Sequence, residues 1–207
     1  VKLPALPGML KNRTLGELAV FAASMLAAAM DPAAVATVIE FESARTWSPS
    51  VKNPTSGATG LIQFMPKTAE ALGTSTSELA QMSFAQQLSF VVKHFRSVGI
   101  AKLKRLVDYY AAVFWPAAVG TDDSFVIAKA GSVAYEANKV LDPHGNGQIT
   151  TGDLSAAMQA VQASAKGTID IVPSFATGLV NPRKAGIAVA GLLVATGIGV
   201  LVWRLRR

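Results

Sequence analysis

The chain of 207 residues has no cysteine, which excludes disulfides and thiolate metal sites and leaves its redox compartment open. Charge is also scarce. Charged residues make up 15% and apolar residues 51%, against about 25% charged in an ordinary soluble domain. Some segment therefore does not behave as a soluble one. There is no internal repeat and no convincing run of strands. A secretory leader is not evident either: residues 18–30 are apolar, but they run into Asp31 and domain-like sequence. The chain opens on Val1 rather than Met, which fits a processed or partial N-terminus.

What is present is mostly helix signal, and the fold class expected is mainly α. Residues 1–13, with Pro4, Pro7 and Gly8, read as an extended arm. Thr14 and Glu17 have the spacing of a capping box opening a helix to about Met30. Asp31 can cap the next helix, with Pro32 at its first position and an end near Ser43. Residues 44–60 form a loop. Helices are expected at Pro66–Leu72, Phe84–Val98, Ile100–Phe114, Asp123–Lys139 and Leu154–Ala165. This divides the chain into an N-terminal arm and helix (1–30), a main domain (31–166), a linker (167–184), an apolar helix (185–203) and a basic tail (204–207).

The net charge of +6 suggests a nucleic-acid partner, but its distribution argues against one. Residues 167–207 carry Arg183, Lys184, Arg204, Arg206 and Arg207 against Asp170, so the cations flank an uncharged stretch, Ala185 to Trp203. Nineteen helical residues span about 28 Å, the hydrocarbon thickness of a bilayer. The reading is a single C-terminal transmembrane helix, with Trp203 at its interface; a buried core helix is the alternative. Gly191, Ala195 and Gly199 form a small-residue ridge suited to self-association, or to packing against apolar helices of a larger assembly.

Two acids stand close together in "VIEFESARTW". Val35, Val38, Ile39 and Glu42 fall at i, i+3, i+4 and i+7, so Glu42 extends an apolar stripe. Glu40 lies roughly 200° away around the helix and reads as a solvated surface acid. Burial would raise the pKa of Glu42 and let it donate a proton near neutrality. The plainer reading of Glu42 is a helix-end residue reaching solvent, and periodicity alone does not separate the two.

The stretch that follows carries more. Glu42-Ser43, Pro49, the run Gly57-Ala58-Thr59-Gly60-Leu61-Ile62-Gln63 and then Met65-Pro66-Lys67-Thr68-Ala69 occur in that order. This resembles the lytic transglycosylase family related to goose-type lysozyme, over about residues 31–115. The resemblance implies a lysozyme-like α fold and cleavage of the β-1,4 bond between N-acetylmuramic acid and N-acetylglucosamine in peptidoglycan, leaving 1,6-anhydro ends. It implies that Glu42 is the catalytic acid/base, with no second carboxylate and no cofactor required. Gln63 matches a substrate-contacting glutamine, and Met65 a cleft-wall methionine. Asn53 falls near a substrate-contacting polar position. Tyr110 takes the tyrosine place of a Tyr-Asn pair whose asparagine is Ala111 here. Each has a structural alternative: Gln63 as a loop tie, Met65 and Tyr110 as core. "YYAAVFWPAAVG" is similar to a variant in phage-encoded members. A virion protein that opens the wall as a phage genome enters, anchored in the membrane with its catalytic domain on the periplasmic side, is the expectation. A hydrolytic muramidase and a catalytically idle structural subunit are the alternatives.

Asp142–Asp153 fits the length of an EF-hand calcium loop. Asp142 stands at position 1, Asn146 at 5, Gly147 at the turn, Gln148 at 7 and Asp153 at 12. His144 holds position 3, where an oxygen ligand is usual, and Asp153 is shorter than the usual glutamate. The loop shape is expected to survive better than any calcium affinity. His94 reads as structural.

Overall fold

The computed structural model describes residues 1–173. The N-terminal stretch is a docked element and not an extended arm. Lys2–Pro4 form strand β1, and Pro7–Asn12 form helix α1 with Pro7 at its start. Leu3, Leu6 and Met9 are fully buried, and their burial holds the segment down. Helix α2, Leu15–Ala27, opens with the expected capping box: Glu17 N–H donates to Thr14 Oγ1 and Thr14 N–H to the Glu17 carboxylate. It ends before Met30 because Ala29 turns left-handed, at φ 57°, and Met30 N–H closes on the Met25 carbonyl.

Helix α3, Pro32–Glu42, is capped by Asp31, whose Oδ1 accepts from Ala33 N–H at 2.8 Å. It is the centre of the fold, in contact with α1, α2 and β1 and with two helices further along the chain. Every residue from Ala34 to Glu40 is buried. Helix α4 (Pro66–Ala71) and α6 (Phe84–Val98) fall where expected, and a short α5 (Thr76–Gln81), which the sequence reading did not separate, lies between them.

The expected helix over Ile100–Phe114 is broken. A single 3-10 turn spans Ile100–Lys102, and α7 starts only at Leu106 and runs to Phe114. Asp108 fixes that start by accepting from the Lys104 and Arg105 amides. The expected helix over Asp123–Lys139 is replaced by strand β2 (Val126–Lys129) and short helix α8 (Val133–Asn138). β2 forms because strand β3 (Gln148–Thr150) lies beside it, antiparallel, with Val126 opposite Thr150 and Lys129 opposite Gln148. Helix α9 runs Thr151–Ala163, starting three residues before the expected Leu154 on a capping box made by Thr150 and Asp153. The expected linker also begins as structure: strand β4 (Thr168–Asp170) pairs antiparallel with β1, Leu3 opposite Ile169.

β1, α2, α7 and α9 close around α3. The remainder of the linker, the apolar helix 185–203 and the basic tail lie outside the described residues. Among the described residues, no helix is long and apolar enough to cross a membrane.

The docking of α1 leaves no room at one point. A Cβ on Gly8 would sit 2.7 Å from both the Arg45 carbonyl carbon and the Arg45 Cα, backbone atoms that cannot swing aside. Gly8→Ala is therefore expected to lower stability by about 1–3 kcal/mol, read from the denaturant midpoint at constant slope.

Candidate active site

Glu42 closes α3, and the chain turns back at once. Ser43 Oγ donates to the Ile39 carbonyl at 2.6 Å and accepts from Trp47 N–H at 3.0 Å. Ala44, Arg45 and Trp47 all adopt positive φ, between 49° and 65°. Such residues need surroundings that hold them in place. Those surroundings are supplied by Glu40. Its carboxylate accepts from Gly8 N–H at 2.8 Å, Met9 N–H at 3.1 Å and the Trp47 indole N–H at 2.6 Å, and it is 1% exposed. The expectation of a solvated surface acid at this position is thus corrected. Periodicity assumes that a helix has a wet face, and α3 has none over this stretch.

Glu42 is surrounded differently. It is partly exposed, and among the described residues its carboxyl makes no hydrogen bond and no ion pair. Loss of hydration raises its pKa from 4.5 to about 8. Tyr110 of α7 lies close enough to sense that charge. Burial first, and the Glu42 charge second, push the Tyr110 hydroxyl above its ordinary range. The Tyr110 ring is 2% exposed, edge-on to Phe41 at 5.2 Å and stacked on Phe114 at 5.7 Å. Its hydroxyl has no protein partner among the described residues. Core packing and a polar tip beside Glu42 are therefore both true of Tyr110.

The loop after the turn is folded over these groups. Thr59 bridges to Lys52 on one side and Phe64 on the other. Gln63 has φ 49°, and its amide nitrogen donates to the Val51 carbonyl at 3.2 Å and the Gly60 carbonyl at 3.1 Å. That is the loop tie, and among the described residues the amide oxygen has no protein donor. Met65 is 48% exposed, so it does not pack in the core. Ile62, Gln63, Phe64, Met65 and Val113 line a small hollow with His94. His94 is held to the Ala112 carbonyl at 3.0 Å, and burial lowers its pKa. Asn53 is not aimed at this group: its Oδ1 accepts from Thr55 and Ser56 N–H and caps its own turn.

The sequence reading missed Gln87. Fully buried on α6, it accepts from Leu61 N–H at 2.7 Å and donates to the Pro49 and Leu79 carbonyls. It pins both ends of the loop. Gly60, at φ 88°, leaves the space for it; a Cβ there would approach Gln87 Cδ to 2.8 Å. The available signal was a polar residue one helical turn after Phe84, on the stripe Phe84, Leu88, Val91, Phe95.

The candidate calcium loop lies away from these residues. Asp142 accepts from the Tyr135 hydroxyl at 2.7 Å and from the Asn146 and Gly147 amides. The Tyr135 bond first, then these amides, lower its pKa. Asn146 Oδ1 accepts from Gln148 N–H, and Asp153 caps α9. His144 is exposed. Among the described residues, no three His, Cys, Asp or Glu side chains gather as a metal-holding group. The oxygens at positions 1, 5 and 12 are engaged by the protein's own donors, so the residues do not make up a calcium cage.

A mainly helical domain that presents one dry carboxyl at the end of a buried helix, beside a tyrosine, is of the lysozyme-like class. Residues 19–121 match the family model described as Transglycosylase SLT domain, so the chain carries that domain and is an enzyme of the lytic transglycosylase type, acting on peptidoglycan. No curated protein matches the chain.

Gln87→Ala strands the buried Leu61 N–H. A loss of about 1–3 kcal/mol in unfolding free energy is expected, together with faster hydrogen exchange at the Leu61 amide.

Proposed function

We propose that Glu42 is the general acid and then the general base of this enzyme, and that the products carry 1,6-anhydro ends. The observation that carries the reading is the place of the Glu42 carboxyl at the end of α3, unpaired among the described residues and close to Tyr110, where loss of hydration raises its pKa to about 8. In the first step it gives its proton to the glycosidic oxygen, and the bond from C1 of N-acetylmuramic acid to that oxygen breaks. The carbonyl oxygen of the sugar's own 2-acetamido group supports the cationic C1, so no second carboxylate is needed. In the second step the Glu42 carboxylate takes the proton of the 6-hydroxyl, O6 bonds to C1, and the acetamido oxygen leaves it. Glu42 ends protonated, as it began.

The free amide oxygen of Gln63 suits an acetamido N–H, the Tyr110 hydroxyl suits the acetamido or carboxyl oxygen, and exposed Met65 suits the sugar face. Asn53, already engaged in its turn, has no part in this proposal. The role in a phage virion rests on the likeness of "YYAAVFWPAAVG" to phage-encoded members, and the periplasmic orientation on the cations around 185–203. Recovery of the chain from purified virions by mass spectrometry is the expected outcome for that role.

Glu42→Gln is expected to abolish wall cleavage with the fold intact. Mass spectrometry of digested peptidoglycan should show products lighter by one water than hydrolysis gives; reducing ends would show a muramidase. Because the acid form is lost as pH rises through about 8, kcat/KM should fall on the alkaline side with that midpoint. The stability linkage has the opposite sense to a paired carboxylate. Between 4.5 and about 8 the unfolded chain has released this proton and the folded one has not, so stability falls with rising pH. Glu42→Gln should therefore be more stable than the wild type at pH 8, with the difference vanishing toward pH 4.5, in parallel thermal unfolding series.

A further inference from the structure

The matched family region begins at residue 19, inside α2, and ends at residue 121, after α7. The helix that carries Glu42 is nevertheless braced by elements from outside that region, namely α1, β1 and α9. One side chain takes hydrogen bonds from both sides of the boundary. Glu40 Oε1 accepts from Gly8 N–H, and Oε2 accepts from Met9 N–H and from the Trp47 indole N–H.

The Trp47 bond matters for what lies between. Residues 43–47 form the turn directly after Glu42, and three of them are left-handed without being glycine. Each such residue costs about 1–3 kcal/mol unless held. Three bonds hold this turn against the end of α3: Trp47 indole to the Glu40 side chain, Arg45 N–H to the Glu40 carbonyl at 2.8 Å, and Trp47 N–H to Ser43 Oγ. The Trp47 ring is clamped in turn, edge-on to Phe21 at 5.8 Å and tilted against Phe84 at 6.1 Å. Two of the holding bonds involve Glu40, and that carboxylate is itself kept in place by α1 amides.

We infer that Glu40 is a positioning residue for Glu42, acting through the Trp47 indole, and that Gly8 and Met9 extend the catalytic machinery beyond the family domain by supplying the other donors to it. The inference rests on the assignment of Glu42 as acid/base. Glu40 touches no substrate in this scheme. It holds the last turn of α3 so that the Glu42 carboxyl stays in its dry setting and at its distance from Tyr110.

The test uses the full chain and soluble peptidoglycan fragments. Trp47→Phe keeps an aromatic ring between Phe21 and Phe84 and removes the indole donor, at the cost of some buried ring volume that the unfolding midpoint will register. Glu40→Gln keeps the shape and replaces one acceptor oxygen with a donor. Each is expected to lower kcat about tenfold with KM within about twofold. The alkaline limb of the kcat/KM profile should also move toward lower pH, because a loosened turn admits water to Glu42. The double variant should lose little more than either single one, since both remove the same bond. A general loss of stability would not move the alkaline limb. If Trp47→Phe keeps the wild-type kcat and limb, the inference is overturned, whatever happens to its unfolding midpoint. Should Glu40→Gln fail to fold, Trp47→Phe decides alone. Glu42→Gln runs beside them: activity surviving in that variant removes the acid/base assignment, whereas an inactive Glu42→Gln beside a normal Trp47→Phe removes only the role of Glu40.

Discussion

The hydrogen bonds that Glu40 accepts from Gly8, Met9 and Trp47 join three parts of the chain: the N-terminal segment, the central helix and the loop beyond it. A carboxylate that is 1% exposed is costly to bury unless its oxygens are engaged by donors. Here two come from the backbone of α1 and one from an indole. Remove those donors, and α3 could not keep an acid on that side. The close approach of α1 depends in turn on Gly8, where the Arg45 backbone occupies the space that any side chain would need.

Two glutamates of one helix, two positions apart, are thereby put to opposite uses. Glu40 is buried among donors that suit its charged form. Glu42 has no donor of its own among the described residues, and loss of hydration disfavours its charged form. Tyr110 shares that environment from the facing helix. The same backbone fixes both outcomes, because the turn that Glu40 ties down is the turn that ends the helix at Glu42. Gln87 does comparable work for the covering loop. By holding Leu61 and Pro49 together it sets the path on which Gln63 lies.

Elements outside the matched region contribute more than a scaffold of spare helices. The β1–β4 ribbon brings residues 2–4 against residues 168–170, so the two flanks of the domain meet each other across α3. Helix α9 packs on both α3 and α7, the two helices that carry Glu42 and Tyr110. The loop before α9 keeps an EF-hand-like outline through the bonds of Asp142, Asn146 and Asp153 to the protein's own groups, and β3 within it pairs with β2. What looks like a metal loop in outline is thus built into a hairpin that starts a packing helix.

Local chemistry was legible along the chain. The capping box of Thr14 and Glu17, the Asp31-Pro32 start of α3 and the limits of α6 follow from side chains that bond within a few residues of themselves, so they can be read without knowing the fold. The family was legible for another reason: its motif elements lie in order between Glu42 and Ala69, and resemblance needs only order and spacing. Strand β2 and its partner β3, the pairing of residues 2–4 with 168–170 and the broken helix before Leu106 were not legible, because each depends on a neighbour distant in sequence or on a side chain that bonds outside its own helix turn. The sequence by itself determined which residue types were available at the end of α3: an acid on the apolar stripe, a second acid two places earlier, a tryptophan beyond the turn. Only the tertiary structure decided which acid would be dry and which would be satisfied, since hydration and hydrogen-bond donors are properties of what packs around a helix and not of the order of residues along it.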